Sequence, residues 1–520
     1  MKRTSREALD TGVECERAGH IADALEAYRD VVAREGAGDQ CLLAEALRRL
    51  AVVHHRQGDT EEAMALCRRS LATAEAAGDR VLTADALNTL AGFEFERGDV
   101  DSARARFEGA LALAGDRPAL RARVEQNLGI LANIQGEHQT ARRHYGESLA
   151  AFERADDVHG CAIAHHNLGM VSADRGDWGE AEAHYLRCLE LAEASGDVHL
   201  RGLGLLNHGE VLLARGEHEA ARLNAERALA IFNDLGAQLD KPDAYALIGR
   251  VYRATGRVPL AEARLRTAVE LARKSSSVLS EAEVSRELAL LLQAAGRNQE
   301  ALSLLNRAHQ LFSRMDARVD LIDVSGRMGR LEQTYFEVVR EWGQSIESAD
   351  SYTHGHCERV AGYALQVAEA LALDEETRTA IRLGAYLHDV GKIRVPHEIL
   401  NKPGPLTPEE FDVVKQHPRW GVELLAEVEF PWDLKPMIRW HHERRDGKGY
   451  PDQLAGARLP LTPQIIGIVD VFDALTTTRS YRPAMAPDVA RSMVLEGRTA
   501  WREDVVDAFL ATVHDTLRIA

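Results

Sequence analysis

Eight glycines recur through the first 320 residues at nearly constant spacing: Gly19, Gly58, Gly98, Gly136, Gly176, Gly216, Gly256 and Gly296. The intervals are 39, 40, 38, 40, 40, 40 and 40 residues. Five residues after each glycine stands an alanine: Ala24, Ala63, Ala103, Ala141, Ala181, Ala221, Ala261 and Ala301. Seven residues before each stands glycine or alanine: Gly12, Ala51, Ala91, Gly129, Gly169, Gly209, Gly249 and Ala289. Three columns agreeing in eight units mark a true repeat. A repeat of this length dictates architecture before any other feature is considered.

The column chemistry predicts a helix-turn-helix unit. Glycine ends the first helix, where the backbone turns left-handed. An acidic residue often follows it, as at Asp99, Asp177 and Glu217, and suits the start of the second helix. Small residues in the other columns let the two helices approach closely. Each unit has one apolar face and needs neighbours to cover it, so the units stack into a superhelix. The columns resemble tetratricopeptide repeats of the longer, roughly 40-residue kind. That resemblance implies a concave groove that takes a peptide or partner protein. His54, His55, His165 and His166 lack the partner spacing of metal ligands and read as packing or surface residues.

Composition narrows the rest. A chain of 520 residues exceeds one hydrophobic core. Abundant Ala, Leu, Arg and Glu with only 5% aromatics favour helices. A net charge of -18 argues against a nucleic-acid polymer as partner, so an anionic substrate would need a local basic site. The six cysteines show no CxxC pairing and read as small buried side chains in a reducing compartment. The basic start, Met1 to Thr4, leads into no apolar stretch, and no run of about 18 apolar residues follows anywhere. A cytoplasmic protein without membrane spans is expected.

Residues 319–350 carry Leu321, Val324, Met328, Leu331, Tyr335, Val338 and Trp342 at alternating spacings of three and four. This is a heptad seam, weakened by Gly326, Gly329 and Gly343. It predicts either a helix capping the last repeat or a short parallel coiled coil joining a homodimer. Ser345 to Thr353 reads as the junction.

From residue 354 the composition changes. His356, His388-Asp389, His417, His441-His442 and Asp470 supply five histidines and two carboxylates. That exceeds the needs of one metal ion and suffices for two sharing a carboxylate. The apolar run Leu383 to Leu387 predicts a buried helix that delivers His388 and Asp389 at its end, with Asp389 as the bridge. Lys392, four residues after His388, is expected on that ligand's face. Asp470 is expected at the end of the apolar segment Ile465–Val469, where burial requires a cation. His354, His397 and His514 read as structural.

The string His388-Asp389-Val390-Gly391-Lys392 resembles the signature of the HD phosphohydrolase superfamily. His441-His442-Glu443, Asp446-Gly447-Lys448-Gly449-Tyr450-Pro451 and Asp470-Val471-Phe472-Asp473 narrow it to the HD-GYP family, as do Leu400 to Gly404, Gln416-His417-Pro418 and Arg479 to Arg482. The resemblance implies an all-α fold: a tetratricopeptide-repeat superhelix over 1–318, a connecting helix over 319–350, and an all-helical HD-type phosphohydrolase domain over 351–520. It implies metal-dependent hydrolysis of cyclic di-GMP to pGpG or GMP under control of the repeats, with mixed cyclic GMP-AMP as an alternative substrate. One metal, iron or manganese, would be held by His356, His388, Asp389 and Asp470. The second would be held by Asp389, His417, His441 and His442. Asp389 and Lys392 would be catalytic, and Lys392, Tyr450, Arg479 and Arg482 would face the substrate. The chain departs from the family at Tyr352, where some relatives carry a third-metal glutamate, and at Arg394, Arg445 and Ser480. The rival readings are a non-catalytic nucleotide receptor and a phosphohydrolase with another substrate.

Overall fold

The structure is a computed structural model that describes residues 4–514 except 37, 116, 348–354, 427, 429 and 479–481, and gives backbone alone at 344–347. The described residues form helices joined by short turns and contain no strand. The all-α expectation therefore holds. The chain divides into two compact units, Met1–Arg327 and Met328–Ala520, with the boundary inside the helix Arg318–Glu347.

The first unit is the stack of helix pairs, from Ser5–Ala18 paired with Ile21–Glu35 to Val278–Ala294 paired with Asn298–Arg314. All eight column glycines adopt left-handed backbone, with φ from 72° at Gly256 to 83° at Gly19 and Gly58. Beyond each glycine the chain turns back at once: at Gly98, for example, the Asp99 amide donates to the Glu94 carbonyl at 2.9 Å. The following acid caps the second helix in part. Asp99 and Asp177 accept from the Ser102 and Glu180 amides, whereas Glu217 makes no such bond. All eight alanines of the second column are fully buried.

The third column has a partner sixteen residues on. Gly12, Gly129 and Gly169 face the rings of Tyr28, Tyr145 and Tyr185, so closely that a Cβ would strike the ring. Gly249 likewise faces Leu265, sixteen residues on, whereas Gly209 faces Leu247 instead.

The superhelix closes on itself. Arg314 donates to the Arg97 carbonyl at 2.7 Å, Gln135 donates to Asp316 at 2.9 Å, and the Gln238 amide donates to the Arg56 carbonyl at 2.8 Å. Gly19 abuts the Leu235 side chain. These contacts join repeats about five units apart, so successive turns of the stack touch.

In the second unit the helix Leu461–Thr476 is central. Ile465, Ile466, Gly467, Ile468, Val469 and Phe472 on it are all buried. Phe472 packs between Tyr363 of the helix His356–Ala370 and Phe509 of the helix Glu503–Thr512, both 5.4 Å away. Two seam residues pack within the unit, Tyr335 meeting Trp432 at 5.6 Å and Leu331 being buried, and so do three residues off the seam, Phe336 meeting Tyr386 at 5.6 Å and Val339 and Gly343 being buried. Val338 and Trp342, which the heptad places in the seam, are exposed. Against its own unit the helix turns the face that carries Leu331, Tyr335, Val339 and Gly343, at spacings of four.

The glycine–tyrosine contacts make a two-signed test. Gly169→Ala overpacks the helix pair and should destabilise the first unit by about 1–3 kcal/mol. Gly146→Ala, at an exposed helical position with nothing within 4 Å, should stabilise it by about 0.5–1 kcal/mol. Calorimetric unfolding of both variants checks the pair. A more stable Gly169→Ala chain would refute the packing account.

Candidate metal centre

The helix Glu375–Leu387 ends in the buried run Leu383 to Leu387 and delivers His388 and Asp389 just beyond its last turn. Helical geometry then changes. Val390–Arg394 is a 3-10 turn, in which residues three apart share a face. Lys392 is therefore placed beside Asp389 and pairs with its Oδ2, rather than following His388 as the α-helical spacing predicted. Gly391 lets the helix His417–Leu424 approach, since a Cβ there would collide with the His417 carbonyl. His441 follows the helix Lys435–Trp440, and a side chain at Gly467 would collide with its carbonyl. Asp470 sits within the helix Leu461–Thr476, not at the end of a segment as its apolar run suggested.

These elements bring all seven predicted ligand residues into two groups. Asp389, His417, His441 and His442 place one ligand atom each within 4.8 Å of one another, and so do His356, His388 and Asp470. Asp389 stands between the groups. Its Oδ1 lies 3.2 Å from His417 Nε2 and 3.9 Å from His441 Nε2. Its Oδ2 lies 3.6 Å from His388 Nε2 and 3.9 Å from His356 Nε2. His356 Nε2 also lies 3.4 Å from Asp470 Oδ1. All seven are buried except His442, which is half-buried.

Hydrogen bonds fix which nitrogen is free. His388 Nδ1 donates to the Ala385 carbonyl at 2.7 Å, His417 Nδ1 to Val414 at 2.7 Å, and His441 Nδ1 to Ile438 at 3.0 Å. His356 Nδ1 donates to Asp473 Oδ2 at 2.7 Å. With Nδ1 committed as donor, each Nε2 presents a lone pair inward. His417 Nε2 and His441 Nε2 face each other at 3.2 Å, and His388 Nε2 and Asp389 Oδ1 are buried with no hydrogen-bond partner. Burying several acceptors against one another is costly unless a cation joins them. The residues present therefore fit divalent metal ions.

Electrostatics agree. Burial pushes His388 down from the ordinary histidine range, and burial together with neighbouring imidazoles holds His441 and His442 well below it. These rings are neutral at pH 7, the form that binds metal. Burial opposes ionisation of Asp389, but Lys392, His388 and His417 more than offset it and hold the carboxyl well below the usual carboxylate range.

Asp473 was not singled out from sequence. It lies one helical turn beyond Asp470, is buried, accepts from His356, and takes two bonds from the Arg359 guanidinium at 2.6 and 3.0 Å. The signal was a second carboxylate at i+3, readable as an orienting partner for a ligand histidine. The Tyr450 ring lies 4.8 Å from that of His442 and tilted 34° to it. Arg482 donates to the carbonyls of Ala474 and Leu475, fastening the end of the central helix. Arg479, with Ser480, Tyr352 and His354, lies outside the described residues. His397 and His514 are exposed and belong to neither ligand group, and Arg394 pairs with Glu423. A third group, Cys15, His20 and Asp23, lies at the surface of the first repeat. The six cysteines form no disulfide. Among the described residues no helix is long and apolar enough to cross a membrane.

Removing the orienting carboxylate should loosen the site. Asp473→Ala is expected to weaken binding of manganese(II) to the metal-stripped chain by about 10–100-fold, read by titration calorimetry. Unchanged affinity would deny Asp473 that role.

Comparison with known proteins places both regions. A family model described as HD domain matches residues 342–503. A model described as tetratricopeptide repeat matches 42–116, 82–154, 160–234 and 240–314, half of the chain. The cyclic di-GMP phosphodiesterase response regulator RpfG of Xanthomonas campestris pv. campestris is 39% identical over 194 residues, 37% of this chain and 49% of that protein. A cyclic di-GMP phosphodiesterase of Vibrio cholerae is 39% identical over 190 residues, 34% of this chain and 39% of that protein. A 3'3'-cGAMP-specific phosphodiesterase 3 of Vibrio cholerae is 38% identical over 167 residues, 32% of this chain and 36% of that protein. The chain thus spans half or less of the length of these curated relatives. It belongs to the tetratricopeptide-repeat proteins and carries an HD domain after its repeats.

Proposed function

We propose that the second unit hydrolyses cyclic di-GMP, giving pGpG or GMP, with two divalent cations, iron or manganese, held by the seven grouped side chains. The observation that carries this reading is the position of Asp389, with one oxygen toward each histidine group. His356, His388 and Asp470 would hold one ion, His417, His441 and His442 the other, and Asp389 both. Two such ions supply Lewis acidity toward a phosphodiester and make bound water a stronger acid.

The chain's own residues do the rest. Burial holds His388, His441 and His442 below the ordinary histidine range, which keeps their lone pairs available. Lys392, partly exposed beside Asp389, supplies a positive charge where phosphoryl oxygens arrive and stabilises the negative charge that grows on them in the transition state. It also provides part of the local basic site that a chain of net charge -18 needs for an anionic substrate. The Tyr450 ring, set against His442, bounds the substrate side of the centre. Regulation falls to the repeats, whose groove would take a peptide or protein.

The named activities of the relatives support a cyclic dinucleotide as substrate. Three relatives are named as 3'3'-cGAMP-specific, which favours mixed cyclic GMP-AMP as the second reading. The test is anaerobic purification, loading with iron(II) or manganese(II), and chromatography of the products from cyclic di-GMP and from mixed cyclic GMP-AMP. Cyclic di-GMP turnover is expected, with loss of metal content and turnover together in Asp389→Ala. Nucleotide binding without product would mean a receptor instead, and turnover that survives Asp389→Ala would overturn the site.

A further inference from the structure

Phe411 is an aromatic ring that the fold leaves 43% exposed. It stands on the short helix Pro408–Val414, which contributes no ligand to the centre. The helix is nevertheless held firmly. Thr407 and Glu410 form a reciprocal capping box at its start, and Lys402 Nζ binds both Glu410 oxygens at 2.9 and 2.6 Å. A large apolar ring is thus held at the surface with no core to fill.

The ring connects to the centre through Tyr450. His442 meets Tyr450 at 4.8 Å between centroids, and Tyr450 meets Phe411 edge-on at 6.5 Å. Lys415, four residues along from Phe411, holds its ammonium 4.7 Å from the Phe411 centroid while also bonding Asp412 at 2.8 Å. Three rings therefore run from a ligand histidine to an exposed aromatic ring with a cation over it.

A nucleotide diester matches this layout. With its phosphate at the centre, a base extends outward by roughly the reach of the intervening ring. Purines stack on aromatic side chains irrespective of identity, so the ring alone gives affinity without choice. The ammonium adds choice, because guanine presents two acceptors, O6 and N7, on one edge where adenine presents a donor at N6.

We propose that Phe411 and Lys415 form the base subsite of this domain, with a purine stacked on Phe411 and Lys415 favouring guanine over adenine. The proposal rests on the cyclic dinucleotide reading above. It goes further by naming the residues that set base selectivity.

The test uses the full metal-loaded chain, cyclic di-GMP, and bis(p-nitrophenyl) phosphate as a diester without bases. For Phe411→Ala the loss of kcat/KM on cyclic di-GMP should exceed the loss on the base-free diester by about 10-fold or more, carried by KM. Phe411→Trp should restore it. Lys415→Met should shrink the preference for cyclic di-GMP over cyclic di-AMP, the latter scored as a competitive inhibitor, by about 10-fold. Equal losses on both diesters, or an unchanged KM in Phe411→Ala, overturn the stacking role. An unchanged preference in Lys415→Met overturns the selectivity role. A wild-type chain that cleaves the base-free diester but no cyclic dinucleotide sinks the substrate reading and this subsite with it. Wild-type turnover of cyclic di-GMP alongside an indifferent Phe411 sinks the subsite alone.

Discussion

The carboxylate of Asp389 is the constraint around which the second unit is organised. It is buried, it is ionised, and each of its oxygens faces a different set of imidazole nitrogens. Such a group is stable only if positive charge meets it on both sides. Lys392 meets one oxygen, while Oδ1 has no hydrogen-bond partner. Main-chain carbonyls already hold the Nδ1 protons of His388, His417 and His441, so the Nε2 atoms turned toward it are free to offer lone pairs. The polypeptide has thus been arranged as a set of acceptors, which is the electrostatic description of a cation site.

That arrangement explains features with no other evident purpose. Gly391 and Gly467 carry no side chain because the backbones bearing His417 and His441 pass through the space a Cβ would take. Asp473 and Arg359 form a buried pair whose effect is to hold the His356 ring. The first unit obeys a different rule. Its repeating glycines serve backbone conformation and helix contact, and the stack gains from each added unit without needing a chemical centre.

Sequence made the repeat legible because its demands are local. A left-handed turn selects glycine and a close helix contact selects small residues, so both leave periodic columns. A second set of left-handed residues ends the second helices at Gly78, Asp156, Gly196, Gly236, Ser276 and Asp316. It escaped notice because half of those positions hold Asp or Ser in place of glycine. The contact of Arg314 with Arg97 joins residues 217 apart and leaves no periodic trace. In the second unit, the ligand residues were legible as a combination of residue types. Their geometry was less so. Lys392 follows 3-10 rather than α-helical spacing, and Asp470 lies inside its helix. Local sequence shows neither, because both depend on packing against other helices. On the helix Arg318–Glu347 the residues turned to its own unit include Phe336, Val339 and Gly343, which lie off the heptad positions, while Val338 and Trp342 on them are exposed.

Everything in the functional account requires that these side chains seat two cations joined by one carboxylate. Diffraction from crystals of the manganese-loaded protein, recorded either side of the manganese absorption edge, tests this directly. The account predicts two anomalous peaks about 3.5–4 Å apart, with Asp389 between them. A single peak, or a pair that Asp389 does not touch, would contradict it.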